Sequence, residues 1–397
     1  MKVLQINSVC GVGSTGRIAV DLYKTLEHRG YEGCIAYGRG IAPKGVNTIK
    51  IGNKVDLYHH VLKTRILDRH GFASTKATQE FVTKVKEYDP DIIHLHNIHG
   101  YYLNIEVLFK YIEEARKPVI WTLHDCWPFT GHCGYFDFVG CERWKSECHH
   151  CPNKRVYPES LILDNSIENY RKKKDLFTSY KNITFVTPSK WLAGLVKDSY
   201  FGSYDVKVIP NGINLDVFKP KKNDFKMRYQ IENKFLILGV ASVWDRRKGL
   251  DTFIQLSKEL DSKYQVVIIG VTTKQKELLP DNIIGITRTD NVEELVSIYS
   301  AADVFVNPTL EDNFPTTNIE ALACGTPVIT YDTGGSPESI DSSCGMVVQK
   351  NSIERLIDSI KKIPEKQVIQ DSCRKKAAEF DMWERFYDYI KLYEKFK

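Results

Sequence analysis

The chain has 397 residues, 42% hydrophobic and 26% charged, with a net charge of +5. That balance excludes a disordered, collagen-like or coiled-coil chain, and at roughly 100–200 residues per domain the length fits two domains. No apolar run approaches the ~20 residues that span a bilayer, and no hydrophobic leader follows Met1-Lys2, so a cytoplasmic protein without a signal peptide is expected.

The first predicted strand is Val3-Leu4-Gln5-Ile6, followed by a glycine loop and a helix with Ile18, Leu22 and Leu26 on one face. Further short apolar runs follow at Cys34–Tyr37, Asp91–His96, Pro118–Leu123, Ile183–Val186 and Val206–Ile209, with helical patterns between them. A polar, turn-rich stretch from Pro210 to Lys222 reads as a linker. The pattern restarts at Phe235–Val240 and continues at Gln265–Gly270, Val304–Val306 and Pro327–Thr330. A helix with Trp383, Phe386, Tyr387, Ile390 and Tyr393 on one face ends the chain. Alternating strands and helices predict parallel βαβ units. The expected fold is α/β, with two Rossmann-like doubly wound domains, residues 1–208 and 209–380. A terminal helix, 381–397, would cross back to the first domain. Ligands in such sheets bind at the carboxyl ends of the strands, so a cleft between the domains is the expected site.

Gly11-Val12-Gly13-Ser14-Thr15-Gly16 fits G-x-G-x-x-G between a strand and a helix, the setting in which helix N–H groups hold a phosphate. A dinucleotide fold needs an acid at the end of the second strand. Here that strand ends at Arg39, which leaves an NADP reading open beside a loop that touches a phosphate or sugar. Asp245-Arg246-Arg247-Lys248-Gly249 places cations on a strand-to-helix turn, which suits a pyrophosphate. Leu310 to Ile329 reads as a polar loop, a helix starting near Thr316, and a Gly-Thr-Pro turn into a buried strand. Its carboxylates Asp312 and Glu320 lie eight residues apart, one in the loop and one in the helix. A carboxylate is a natural acceptor for a vicinal diol.

All eleven histidines lie at or before His150, and five of the ten cysteines fall within residues 126–151. Cys133, Cys141, Cys148 and Cys151 end in a C-x-x-C pair, which suits a structural zinc site of four cysteine ligands in a reducing compartment. Residues 1–205 carry 28 Lys+Arg against 22 Asp+Glu, while the remainder is near neutral. The basic half suits an anionic partner such as a lipid phosphate, and Lys54 to Phe72 mixes basic and apolar residues as a peripheral membrane surface does. No basic cluster alternates with aromatic residues, so nucleic acid is not an expected partner.

The Leu310–Ile329 stretch resembles the donor-binding signature of retaining GT-B glycosyltransferases of family 4, the glycosyl transferases group 1. The resemblance extends over nearly the whole chain. Pro210-Asn211-Gly212-Ile213 resembles the family's interdomain turn, and the glycine loop resembles the one that faces the donor. It implies a hexose transferred from a nucleotide diphosphate sugar to a glycan or lipid-linked acceptor, without an obligatory catalytic metal. Retention would come from front-face attack, with the leaving phosphate helping to deprotonate the acceptor. Glu320 would bind the ribose. Glu311 or Asp312 would contact the donor sugar, the family usually having Glu where this chain has Asp312. Asn313, Phe314, Pro315 and Thr316 would supply backbone contacts, Lys248 would bind the phosphates, and Gly13 and Gly16 would face the donor. The family's arginine position falls on Ser242, leaving Arg247 or Arg246 as substitutes. His124, with Asp125 second, follows a first-half strand and would line the cleft near the reacting sugar. The segment His124 to Pro152 further resembles members from exopolysaccharide and colanic-acid-type gene clusters, which implies surface polysaccharide synthesis at the inner face of the membrane. An epimerase or phosphorylase on the same fold, and a non-catalytic sugar-nucleotide-binding subunit, stay as alternatives.

Overall fold

Runs such as Ile92-Ile93 and Val328-Ile329 are apolar at every position, which suits strands covered on both faces. The computed structural model describes residues 1–396. It divides into two units, one of residues 1–210 with the chain from Arg385 onward, the other Asn211–Glu384.

In chain order the first unit contains β1 (Lys2–Val9), α1 (Gly13–His28), β2 (Glu32–Arg39), β3 (Thr48–Lys50), α2 (Lys54–Leu67), α3 (Thr75–Tyr88), β4 (Ile92–Leu95), α4 (Ile105–Ala115), β5 (Val119–Thr122), α5 (Ser166–Ser179), β6 (Ile183–Thr187), α6 (Lys190–Asp198) and β7 (Asp205–Val208). Its strands form one parallel sheet, β3-β2-β1-β4-β5-β6-β7. Alternate residues of β2 enter different cores: Cys34 and Ala36 join one cluster with Phe81, Phe109 and Trp121, while Ile35 and Tyr37 join a smaller one with Ala19 and Tyr23.

The second unit contains α7 (Phe225–Arg228), β8 (Phe235–Val240), α8 (Leu250–Glu259), β9 (Tyr264–Ile269), α9 (Thr273–Glu277), β10 (Ile283–Ile286), α10 (Val292–Ala301), β11 (Val304–Asn307), α11 (Thr316–Ala323), β12 (Val328–Tyr331), β13 (Gly345–Val348), α12 (Ile353–Lys362) and α13 (Lys366–Ala378). Helix α14 (Met382–Glu394) follows, most of it belonging to the first unit. The second sheet is also parallel, β10-β9-β8-β11-β12-β13. Leu236 and Leu238 of β8 face one core and Ile237 the other. Both units are therefore α/β domains built on parallel sheets, each covered on two faces. In each, strand order reverses once, between β1 and β4 and between β8 and β11. That reversal opens a crevice at the carboxyl ends where ligands bind. Among the described residues no helix is long and apolar enough to cross a membrane.

The segment between β5 and α5 is held from below by Lys173 of α5. Its buried ammonium donates to the carbonyls of Trp127 (2.8 Å) and Thr130 (2.9 Å) and lies 3.5 Å from the Trp127 ring centre. Burial pushes the Lys173 ammonium down to about 7. Asp68, just past α2, ties the same segment with one oxygen 2.5 Å from His132 Nδ1 and the other accepting from the Asn165 N–H at 2.9 Å.

The structure does not support the expected four-cysteine zinc site. Cys133, Cys141, Cys148 and Cys151 do line one pocket, with His132 and Trp144. Among the described residues, however, no three His, Cys, Asp or Glu side chains are grouped to hold a metal ion. Three of the sulfurs have other partners. The Cys133 thiol donates to Cys151, and that bond draws Cys151 down to about 7. The Asn153 N–H also donates to Cys151, and the Gly131 N–H to Cys148.

Substituting Lys173→Met removes the donor from two buried carbonyls. The Trp127 carbonyl keeps the Thr130 N–H at 3.4 Å while the Thr130 carbonyl is left unpaired, so the free energy of unfolding should fall by about 1–3 kcal/mol, the cost of one buried acceptor without a partner. Urea denaturation reads this directly, and an unchanged midpoint would contradict the bracing role.

Candidate functional site

In the second unit two loops meet at the carboxyl ends of β8 and β11. The first, Asp245–Gly249, is a tight turn in which Asp245 Oδ1 accepts from the Lys248 N–H at 3.0 Å. Gly249 has φ +79°, and a Cβ there would lie 2.5 Å from the Pro308 carbonyl, so only glycine permits this approach. The second loop is stitched to the first along its backbone. The Leu310 N–H donates to the Arg247 carbonyl at 2.7 Å, and the Arg247 guanidinium donates to the Glu311 carbonyl at 3.0 Å. Lys248 Nζ then reaches Asp312 Oδ2 at 2.5 Å. Four sequence-predicted residues from two separate motifs are thus brought together.

The two adjacent acids differ in setting. Glu311 is buried, only 4% exposed, while the Asp312 side chain keeps 14% exposure and carries the lysine. Asn313, Phe314 and Pro315 lead into α11, whose first turn has no side-chain cap. Its leading N–H groups and the positive end of its dipole favour an anion. Phe314 packs on Phe380, and its carbonyl accepts from Asn211 Nδ2 at 3.3 Å. Glu320, a turn further along, is buried and accepts from the Tyr299 hydroxyl at 2.9 Å.

Beneath α11 lies a buried polar network that sequence reasoning missed. Asn318 donates to Ser336 Oγ (3.1 Å) and Ser339 Oγ (2.9 Å) and accepts from Asn307 Nδ2 (2.8 Å), while Thr330 pairs with Ser336 at 2.6 Å. It locks the ends of β11 and β12 to the start of α11. The signal was a polar residue near the end of each apolar strand, Asn307 and Thr330.

In the first unit the glycine loop leaves β1 as expected. Gly11 N–H donates to the Gly16 carbonyl at 2.9 Å, and a Cβ on Gly16 would meet the Gly11 nitrogen and Val9 at 3.1 Å. Gly13 is exposed and begins α1. Two residues past β5, the partly exposed His124 has its Nε2 3.1 Å from His96 Nδ1. Burial draws the His124 imidazole down to about 4, against the opposing charge of Asp125, so it is neutral at pH 7. Both oxygens of buried Asp125 are engaged: Oδ1 accepts from the Trp127 N–H at 3.0 Å, and Oδ2 lies 2.9 Å from His99 Nε2. Burial alone would raise the Asp125 carboxyl, but His99 and the Trp127 N–H hold it below its usual range. That geometry suits an orienting carboxylate. His94 is fully buried between the Tyr393 hydroxyl (2.6 Å) and Thr122 Oγ1 (2.8 Å), which pins α14 to the sheet.

Residues 221–380 match the family model of glycosyl transferases group 1, and residues 15–217 that of Glycosyltransferase Family 4. The chain is 26% identical over 371 residues to WcaC of Escherichia coli K12, provisionally named a colanic acid biosynthesis glycosyl transferase, with 90% of this chain and 89% of WcaC covered. In fold it is similar to a sucrose-phosphate synthase from Thermosynechococcus elongatus (TM-score 0.70, 16% identity, 99% and 98% of the chains covered). It is also similar to Anabaena HepE, solved in complex with UDP-glucose (TM-score 0.69, 15% identity, 100% of each chain covered). These neighbours share the GT-B fold. Since the second family model spans more than half of its residues, the chain belongs to Glycosyltransferase Family 4.

Proposed function

We propose that the chain is a retaining transferase that moves a hexose from a nucleoside diphosphate sugar to a glycan or lipid-linked acceptor in surface polysaccharide synthesis. The observation that carries this reading is the junction of Lys248 and Arg247 with the Glu311–Asp312 loop, directly ahead of the α11 N-terminus. A diphosphate leaving group needs cations and aligned N–H groups where its charge develops, and the sugar needs a carboxylate to accept its hydroxyls. Lys248 and the α11 amides supply the first, and Asp312, the more exposed acid, the second. Glu320 accepts the ribose hydroxyls. In the transfer the bond from the anomeric carbon to the phosphate oxygen breaks, and its electron pair leaves with the diphosphate. The acceptor oxygen bonds to the same face of that carbon, and its proton passes to the departing phosphate oxygen. No nucleophilic side chain and no catalytic metal ion enters this sequence. The name of WcaC supports the polysaccharide context, and the UDP-glucose complex of HepE supports the donor class.

Two substitutions test the site. Lys248→Ala should lower the transfer rate about 10²–10³-fold, the usual effect of removing one preorganised donor from a developing anion. Glu320→Ala should weaken nucleoside diphosphate binding by calorimetry, whereas Tyr299→Phe, which keeps the carboxylate, should not. Normal turnover by Lys248→Ala would remove the pyrophosphate role, and unchanged affinity in Glu320→Ala the ribose role.

The acceptor side of the reading includes peripheral contact with the inner face of a membrane. It is supported by the outer face of α2, where Val55, Tyr58, Leu62 and Ile66 are exposed, Val55 to 75% and Tyr58 to 70%. Exposed Leu161, Ile162 and Leu163 join this face through bonds from Leu161 N–H to the Arg65 carbonyl and Leu163 N–H to the Ile66 carbonyl. Lys54, Arg69 and Arg155 are exposed near these segments in sequence. An exposed apolar face with cations on the same segments fits an anionic bilayer surface. Sedimentation with vesicles containing phosphatidylglycerol should carry the protein down, pure phosphatidylcholine should not, and Val55→Asp with Leu62→Asp should abolish binding. Undiminished binding by that double variant would refute the surface.

A further inference from the structure

Gln5 occupies the middle of β1, on a parallel sheet whose interior is mostly apolar, and it is fully buried. Its side chain is hydrogen-bonded at both ends. Nε2 donates to the Ala19 carbonyl of α1 at 3.0 Å, and Oε1 lies 3.0 Å from His96 Nε2. A carbonyl oxygen can only accept, so Ala19 fixes which end of the amide is NH2. Oε1 in turn can only accept, so His96 carries its proton on Nε2. A neutral imidazole then has a bare Nδ1. His96 Nδ1 is 3.1 Å from His124 Nε2, so it accepts from His124, and the single N–H of His124 points inward.

The neighbours of His96 hold it neutral. Its two ring nitrogens face Gln5 and His124, the surroundings are buried, and His94 lies against it with ring centres 4.1 Å apart. Burial accordingly pushes the His96 imidazole well below its ordinary range. The His124 ring is nearly parallel to that of His96, at 14° and 5.4 Å, so its orientation is set along with its proton.

We propose that Gln5 and His96 are positioning residues that lock His124 as the Nε2–H tautomer, with its only N–H committed to His96. Any ring-nitrogen contact that His124 makes to a ligand is then through Nδ1 as an acceptor. Where that nitrogen meets the sugar or acceptor it takes a hydroxyl hydrogen, and His124 offers no N–H to a phosphate. The glycine-loop helix α1, through Ala19, is the fixed end of this relay. The role of His124 rests on the proposed transferase reading; the tautomer does not.

Long-range ¹H–¹⁵N correlation of the histidine rings in ¹⁵N-labelled full-length protein tests the lock without substrate. His96→Asn and His124→Asn assign the two rings. The expected spectrum shows both as Nε2–H tautomers. Gln5→Met removes the acceptor and should shift His96 and His124 together, while Gln5→Glu, kept neutral by burial so that its O–H donates to the Ala19 carbonyl and its other oxygen accepts from His96 Nε2, should restore both patterns. A wild-type His124 in the Nδ1–H form would overturn the proposal, and so would His124 signals unmoved in Gln5→Met. If Gln5→Met does not fold, the wild-type and Gln5→Glu spectra decide. With whichever of UDP-glucose or GDP-mannose supports nucleotide release, Gln5→Met should lower kcat about tenfold to a hundredfold and leave the donor KM unchanged. Failure of both sugars to turn over, with the tautomers as expected, would count against the transferase reading and not against the lock.

Discussion

The constraint on which the rest depends is that every strand in each sheet runs the same way. A parallel strand cannot return through a tight turn; it must cross over, and here it does so through helices and long loops. Every loop that follows a strand therefore emerges at one edge of its sheet. Where strand order reverses, two such loops diverge and leave a crevice between them. In the second unit those loops follow β8 and β11, and they carry Lys248 and Asp312. In the first they follow β1 and β4, and they carry the glycine loop and His96.

Both crevices sit over buried polar groups, which a packed sheet tolerates only when their hydrogen bonds are met. Asn318 meets this condition with Asn307, Ser336 and Ser339, and Gln5 does so with Ala19 and His96. Apolar residues of similar volume would fill these sites without any need for partners. Polar ones impose geometry: they fix where α11 begins and which way the His124 proton points. The ligand-facing side chains then lose little freedom when a ligand arrives, which is the advantage of preorganisation.

Much of this was legible in the chain. The long apolar runs at Phe235–Val240 and Gln265–Gly270 became β8 and β9, and the Asp312-to-Glu320 motif fell on a loop and a helix. Three strands were not foreseen: β3, β10 and β13. Thr48-Ile49-Lys50 is polar at both ends, Ile283–Ile286 contains Gly285, and Gly345–Val348 opens on glycine. All of them lie at sheet edges, where one side is wet and a short strand needs no continuous apolar run. The relay was invisible for a different reason. Gln5 and His96 are 91 residues apart, and only β1–β4 pairing joins them. The cysteine spacing suggested a metal, and the four residues do line one pocket, but three of their sulfurs are taken up in hydrogen bonds to each other or to backbone N–H groups, and no metal-holding group of three forms among the described residues.

The functional reading stands or falls on a nucleoside diphosphate being held by the second unit, at Lys248, Asp312 and the start of α11. Hydrogen–deuterium exchange of the full chain, with and without saturating UDP, GDP, ADP or dTDP, measures this binding at the level of peptides. At least one of the four should slow exchange in the peptides covering residues 245–250 and 310–320. Protection confined to the glycine loop at residues 11–16, or no protection by any of the four, would contradict it.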